Sequence, residues 1–184
     1  MSARRVVLWR HGRTAWNAGS RFQGTTDVPL DDLGVAQAER AARDLSTLVP
    51  NAIVSSDLER ARATAQALAD IVGLPVTTDP ALRETFAGTW QGLTRDEIIA
   101  ADGALFAEWT AGHDVRPGGG ESRTEVAARV AAAVRRHVAA VPPGGTLVVA
   151  THGGAVRSGL GVLLGLPVEH WTVLGGLVNC AWSV

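Results

Sequence analysis

The stretch Val6-Val7-Leu8-Trp9-Arg10-His11-Gly12-Arg13 constrains this chain more than any other. Four consecutive apolar residues fit a strand covered on both faces, as in a parallel sheet held between helices. The run then breaks into two arginines flanking a histidine and a glycine. A buried strand with such an ending delivers the polar group to the carboxyl edge of an open α/β sheet, where ligands bind. The pattern returns late in the chain: Thr146-Leu147-Val148-Val149-Ala150 reads as another buried strand, and Thr151-His152-Gly153-Gly154 follows it. Two strand-end histidines, each followed by glycine, point to one edge carrying two imidazoles.

The rest of the composition narrows what that edge can do. A chain of 184 residues, 46% hydrophobic, is expected to form one domain over 1-184 with a single core. A net charge of −1 and the lack of a basic stripe argue against nucleic acid as a partner. All 17 basic residues are arginine, which excludes Schiff-base chemistry and a P-loop lysine. Cys180 is the only cysteine, so no intrachain disulfide forms, which suits a cytoplasmic setting. The basic start, Met1 to Arg5, precedes an apolar run too short for a signal peptide or a membrane span.

Taken in order, strands alternate with helices, which predicts a doubly wound α/β sheet. The loop from Arg13 to Pro29 follows His11 directly, and its length favours binding. Asp31 fits an N-cap for a helix with Leu33, Ala36, Ala41, Leu45 and Leu48 on one face. Ala52–Ser55 is a strand. Ser56-Asp57-Leu58-Glu59 then matches a capping box, with Ser56 as cap, and opens a helix with Leu58, Ala61, Ala65, Leu68 and Val72 as its stripe. Arg60 lies in the first turn of that helix. A cation there opposes the helix dipole, which makes sense if it meets an anion at the strand ends. Val76-Thr77 is a short strand, Leu82–Phe86 an extended segment, and Glu84 sits before a glycine-rich loop. Thr94 and Ser122 open further capping boxes. Between them, Ala101–Gly120 reads as a lid carrying Trp109, His113 and Arg116. A helix follows the second histidine strand, and Leu177–Val184 reads as the last strand. His137 and His170 read as surface residues.

Arg10, His11, Arg60 and His152 at one edge would form a cationic pocket sized for a phosphoryl group. Arginine forks match phosphate oxygens bidentately. A neutral imidazole can attack phosphorus in line, and arginines can supply the charge stabilisation that phosphoryl transfer requires. The leaving alkoxide then needs a proton, and Glu84 is the best-placed carboxylic acid.

Arg10-His11-Gly12 with Thr14, Asn17 and Gln23-Gly24, then Ser55-Ser56-Asp57-Leu58-x-Arg60-Ala61-x-x-Thr64-Ala65, Leu82-Arg83-Glu84 and Thr151-His152-Gly153 resemble the histidine phosphatase (phosphoglycerate mutase-like) superfamily. The resemblance spans essentially the whole chain in order. It implies a three-layer α/β/α sandwich around a mostly parallel, mixed sheet. It implies that His11 becomes phosphorylated and that Glu84 is proton donor, then base for water. Arg10, Arg60 and His152 would hold the phosphoryl group, with Asn17, Gln23, Gly24 and the Gly153 amide on the substrate side. No metal or organic cofactor is implied. Within the family, Trp90-Gln91-Gly92-Leu93-Thr94, Gly119-Gly120-Glu121-Ser122-Arg123 and Leu174-Gly175-Gly176-x-x-Asn179-x-Ala181-Trp182 are similar to the actinobacterial glucosyl-3-phosphoglycerate phosphatases. One departure is that the chain stops right after Trp182, where those proteins continue.

The expectation is therefore a phosphomonoester hydrolase acting on a small phosphorylated metabolite, with no nucleic acid or membrane partner and at most a second copy of itself. A mutase is the first alternative, but family mutases carry a longer insertion over the site and a C-terminal tail. A phosphate-binding module without activity is the second, and the presence of both His11 and Glu84 argues against it. A metal site on His11 and His152 is a third, and no ligand pair at helical or Cys-x-x-Cys spacing supports it. Arg13, Arg21, Gln23, Arg116 and Arg123 lie on or beside the loops around the site, and the four arginines among them offer more cations than one phosphate requires, which suggests a second anion on the substrate. Trp90 and Trp109 could stack on a sugar or belong to the core.

Overall fold

The computed structural model describes residues 4–184, so Met1–Ala3 of the basic start lie outside the described residues. Five strands form one mixed sheet in the order β3-β2-β4-β1-β5, with β1 at Arg5–Arg10, β2 at Ala52–Ser55, β3 at Val76–Thr78, β4 at Thr146–Thr151 and β5 at Trp182–Ser183. The first four are mutually parallel and β5 is antiparallel to β1. The last strand is therefore much shorter than the Leu177–Val184 expected from its apolar residues.

Both faces of the sheet are covered, which is why its central strands read as unbroken apolar runs. Val7, Trp9, Ile53, Val148 and Ala150 face a layer made by α2 (Asp32–Ser46) and α3 (Glu59–Val72). Leu8, Val54, Leu147 and Val149 face α5 (Arg123–Ala140) and α6 (Gly153–Leu163). Right-handed crossovers explain the division: strand order runs one way through β1, β2 and β3, then reverses to insert β4, so the later helices fall on the other face. The short α1 (Ala15–Ala18) and α4 (Arg95–Ala111) lie outside these layers. α4 breaks at Asp102 and packs with Phe22 and Trp90 in a small separate core, so the expected lid is largely helix.

Two local readings change. In α2 the buried positions are Gly34, Ala38, Ala41, Ala42 and Leu45, while Leu33 and Ala36 are exposed. The helix turns its small residues inward because its start runs backbone to backbone against the turn after β1. A Cβ built on Gly34 would lie 2.0 Å from the Arg13 carbonyl oxygen, and one on Gly12 would lie 2.4 Å from the Gly34 oxygen. Leu33 in that place would hold the helix away. In α3 the cap is Leu58, with no side-chain cap bond, so Ser56 does not cap the helix as the box predicts.

Gly34→Ala should therefore destabilise the fold by about 1–3 kcal/mol, roughly 2–12 °C in Tm, because the methyl group meets backbone that cannot yield. Arg13→Ala removes a partly exposed ion pair to Asp31 and should cost less than about 1 kcal/mol. Thermal melts of the two variants check this; equal losses would show that the close approach is not what fixes α2.

Candidate active site

The parallel register brings three strand ends to one edge, with Arg10 opposite Thr151 and Ser55 opposite Ala150. The residues just past those ends are His11, His152 and Ser56. The two imidazoles meet edge to face, with ring centroids 5.1 Å apart, and both are buried. Buried polar groups need partners, and those partners define each ring's chemistry.

His11 Nδ1 lies 2.7 Å from the Gly12 carbonyl oxygen. A carbonyl only accepts, so Nδ1 carries the proton and the neutral ring presents an unprotonated Nε2. The ring stays neutral because burial, and then the nearby Arg60 and Arg10 guanidiniums, hold its pKa well below the ordinary 6.5. The Gly12 amide donates to Thr64 Oγ1 at 3.0 Å, tying this turn to α3.

His152 Nε2 lies 2.9 Å from Ser56 Oγ. That hydroxyl already accepts the Leu58 amide. The tautomer in which the hydroxyl gives its proton to Nε2 puts the ring hydrogen on Nδ1, which is buried and without a partner among the described residues. Burial, Arg60 and His11, in that order, push His152 well below its ordinary pKa. Ser56, misread as a helix cap, instead orients the second histidine.

Arg60 is completely buried and donates from Nη1 to the Thr26 carbonyl and from Nη2 to the Gly24 carbonyl, both at 2.8 Å. Gly24 thus holds Arg60, and its positive φ of 53° and tight approach to Gln91 explain the glycine. Arg10 donates to the Leu177 carbonyl at 2.5 Å. Burial lowers the pKa of both arginines, that of Arg60 to about 10, yet both remain cationic near neutrality. The Nε atoms of both are buried without a partner. With His152 Nδ1 they make a group of unpaired buried donors, which suits an anion.

Glu84 comes from the loop after β3. Its carboxylate accepts the amides of Gly154 at 2.9 Å and Ala155 at 3.0 Å, in the first turn of α6, and also the Thr85 amide at 2.9 Å. A helix N-terminus is a natural seat for a carboxylate. The seat requires glycine at 154, since a Cβ there would lie 2.5 Å from Glu84 Oε1. The loop itself is fastened by Arg129, which donates to the carbonyls of Ala81, Arg83 and Glu84 and grips Glu121 with two bonds of 2.8 Å. Sequence reading missed Arg129 and passed over Gly154; the second glycine after His152 was the available signal.

Asn17 and Gln23 meet at Thr14. Asn17 Oδ1 accepts the Thr14 amide in a capping box at the start of α1, and Gln23 Oε1 accepts the Thr14 hydroxyl. Asn179 links this group to the first histidine, donating to the His11 carbonyl and to Asn17 Oδ1. A cavity of about 260 Å³ adjoins, lined by Arg10, Glu84 and Gly153 together with Phe22, Trp109, Arg123 and Arg157. Trp90 is fully buried and belongs to the core, whereas Trp109 faces the cavity. Arg13, Arg21 and Arg116 pair with Asp31, Glu97 and Glu125, so those expected spare cations are not spare. His137 is not a plain surface residue: it bonds Asp79 at 2.7 Å. Among the described residues no three His, Cys, Asp or Glu side chains cluster as a metal site requires. Among them no helix is long and apolar enough to cross a membrane.

A neutral strand-end histidine among arginines, facing a second histidine and a helix-seated carboxylate, defines a phosphoryl-transfer class of site. The chain belongs to the histidine phosphatase superfamily (branch 1), which it matches over residues 6–184. It is 45% identical to the glucosyl-3-phosphoglycerate phosphatase of Mycolicibacterium vanbaalenii, over 99% of this chain and 84% of that protein. It is 37% identical to a probable phosphoglycerate mutase of Yersinia pestis, over 97% of this chain and 82% of that protein. The structure of a mycobacterial glucosyl-3-phosphoglycerate phosphatase complexed with VO3 superposes with a TM-score of 0.92 at 47% identity, over 98% of this chain and 91% of that one.

The two histidines carry a stability signature. Unfolded, each binds a proton near the ordinary 6.5; folded, each does so only well below it. Between those values the unfolded chain holds more protons, so stability rises with pH and is lost as pH falls below about 6.5. His11→Asn and His152→Asn should each flatten the fall in Tm between pH 7 and pH 5. A slope as steep as in the parent protein would show that the rings are not held neutral by the fold.

Proposed function

We propose that the protein hydrolyses a small phosphomonoester through a phosphohistidine at His11, and that it works as one unit over 1-184. The observation that carries this is the Nδ1 contact of His11 with the Gly12 carbonyl, which leaves Nε2 as a buried, unprotonated nucleophile among guanidiniums. Nε2 attacks phosphorus and the ester P–O bond breaks. The proton on the Glu84 carboxyl passes to the departing alkoxide. The amides of Gly154 and Ala155 are aimed at the charge Glu84 acquires in that step. Water then gives a proton back to Glu84 and attacks the phosphohistidine; the P–N bond breaks, and inorganic phosphate and neutral His11 result. Arg10, Arg60, the His152 Nδ1–H and the Gly153 amide bind the phosphoryl oxygens, with Asn17 and Gln23 holding the adjoining loop. No step needs a metal or an organic cofactor.

The relatives of higher identity named above are phosphatases of glucosyl-3-phosphoglycerate, which supports that compound as substrate and hydrolysis over mutase activity. Single Trp109 stacking on a sugar ring fits the same reading.

Rapid quench in base should trap label on His11, because a phosphoramidate survives alkali. His11→Ala should abolish label and turnover; near-parental activity in that variant overturns the mechanism. Glu84→Gln should slow alkyl phosphates by roughly two to four decades and partly spare an activated aryl phosphate, whose leaving group barely needs a proton. Equal losses on both would remove Glu84 from the acid role. Gly154→Ala should do the same more mildly, with Tm little changed, since alanine's helix preference of about 1 kcal/mol offsets a similar loss of about 1 kcal/mol from the displaced carboxylate cap. Unchanged kinetics in Gly154→Ala would show that the helix seat for Glu84 is not used.

A further inference from the structure

We propose that Arg123 and Arg157 form a second anion subsite, specific for a carboxylate on the part of the substrate that leaves with the ester oxygen. The inference rests on the hydrolase reading above and extends it to the other lining of the same cavity. Arg123 is the first residue of α5 and Arg157 lies in α6. Both line the cavity that Arg10, Glu84 and Gly153 also line.

Among the described residues no carboxylate pairs with either guanidinium. The Nε atoms of both are buried and lack hydrogen-bond partners. Arg123 spends one nitrogen on the Trp109 carbonyl and lies over the Trp109 ring, 5.1 Å from its centroid. Burial and then the neighbouring Arg157 make it harder for Arg123 to hold its charge, and Asp114 only partly opposes them. The neighbouring acids are committed elsewhere. Asp114 accepts the Thr124 amide and hydroxyl, and Glu121 is gripped by Arg129.

Two like charges side by side and partly out of water are unfavourable unless an anion joins them. Their forks match a carboxylate. The segment Gly176-Leu177 connects this subsite to the phosphoryl site: Leu177 accepts the Arg10 bond, and a Cβ on Gly176 would lie 2.9 Å from Arg157 Nη2. At about 260 Å³ the cavity is near the small end of ligand sites, about 300 Å³, so phosphate and carboxylate must belong to one compact molecule. A cation in the first turn of α5, against the dipole, is the same signal that marked Arg60.

The test compares 3-phosphoglycerate with glycerol 3-phosphate, which differ only in carboxylate against hydroxymethyl, with p-nitrophenyl phosphate as reference. The parent protein should prefer 3-phosphoglycerate in kcat/KM. Arg157→Met, which removes no hydrogen bond among the described residues, should lower that value roughly 10- to 100-fold, the worth of a charged hydrogen bond, chiefly through KM. Its activity on glycerol 3-phosphate and p-nitrophenyl phosphate should stay within about twofold. Arg157→Lys should restore part of the preference, and Arg123→Met should repeat the loss. Equal effects on both glyceryl substrates, or no preference in the parent protein, overturn the subsite while leaving the hydrolase intact. If no phosphomonoester is hydrolysed, the hydrolase reading fails, and calorimetric binding of the same glyceryl pair decides the subsite: tighter binding of the carboxylated member, lost in Arg157→Met, sustains it, and equal binding refutes it.

Discussion

The buried guanidinium of Arg60 is the constraint on which the rest of the site depends. Moving a charge out of water costs several kcal/mol unless partners surround it. Among the described residues no carboxylate pairs with it directly; two backbone carbonyls, of Gly24 and Thr26, hold two of its nitrogens. The loop between β1 and α2 must therefore fold back over the start of α3, and Gly24 must take a left-handed conformation to turn its carbonyl inward. The third nitrogen, Nε, is left for something that is not protein. An arginine on the surface would leave the same loop free to move.

That cation also sets the protonation of both rings. After burial itself, the charge on Arg60 does most to hold His11 and His152 neutral. A neutral imidazole is a nucleophile and an imidazolium is not, so the group that would bind the phosphoryl oxygens also keeps the nucleophile available. The arrangement is self-consistent only while both carbonyls keep Arg60 in place. This links a loop conformation at residues 24–26 to a lone pair on His11.

The sheet and its edge were legible because they follow from local pattern: apolar runs, followed at once by His-Gly. Arg60 was legible because its charge opposes the helix it opens. Ser56 was misread because a Ser-x-x-Glu spacing is satisfied locally, and the competing bond comes from His152, 96 positions away. Arg129 and Gly154 act on Glu84 from 45 and 70 positions away, Arg157 lines a cavity, and no short spacing marks any of them. Trp90 and Trp109 look alike in sequence; only the packing of α4 decides that one is core and the other lines the cavity.

Three helix starts around the site share one device, and it explains how their cations are tolerated. The Glu59 amide at the start of α3 is accepted by Asp27, the Thr124 amide of α5 by Asp114, and the Gly154 and Ala155 amides of α6 by Glu84. Each carboxylate comes from a different loop, so each helix start gains an acceptor from outside its own sequence, α5 in addition to its own Ser122–Glu125 capping box. Asp27 supports the charge of Arg60 and Asp114 that of Arg123, offsetting the dipole that would otherwise oppose them. Glu84 alone of the three also lines the cavity. Asp27 and Asp114 thus serve a helix start and a neighbouring cation, whereas the third carboxylate sits where a substrate can reach it. That difference in access, rather than any difference in local bonding, singles out Glu84 as the group able to exchange a proton with a departing alkoxide.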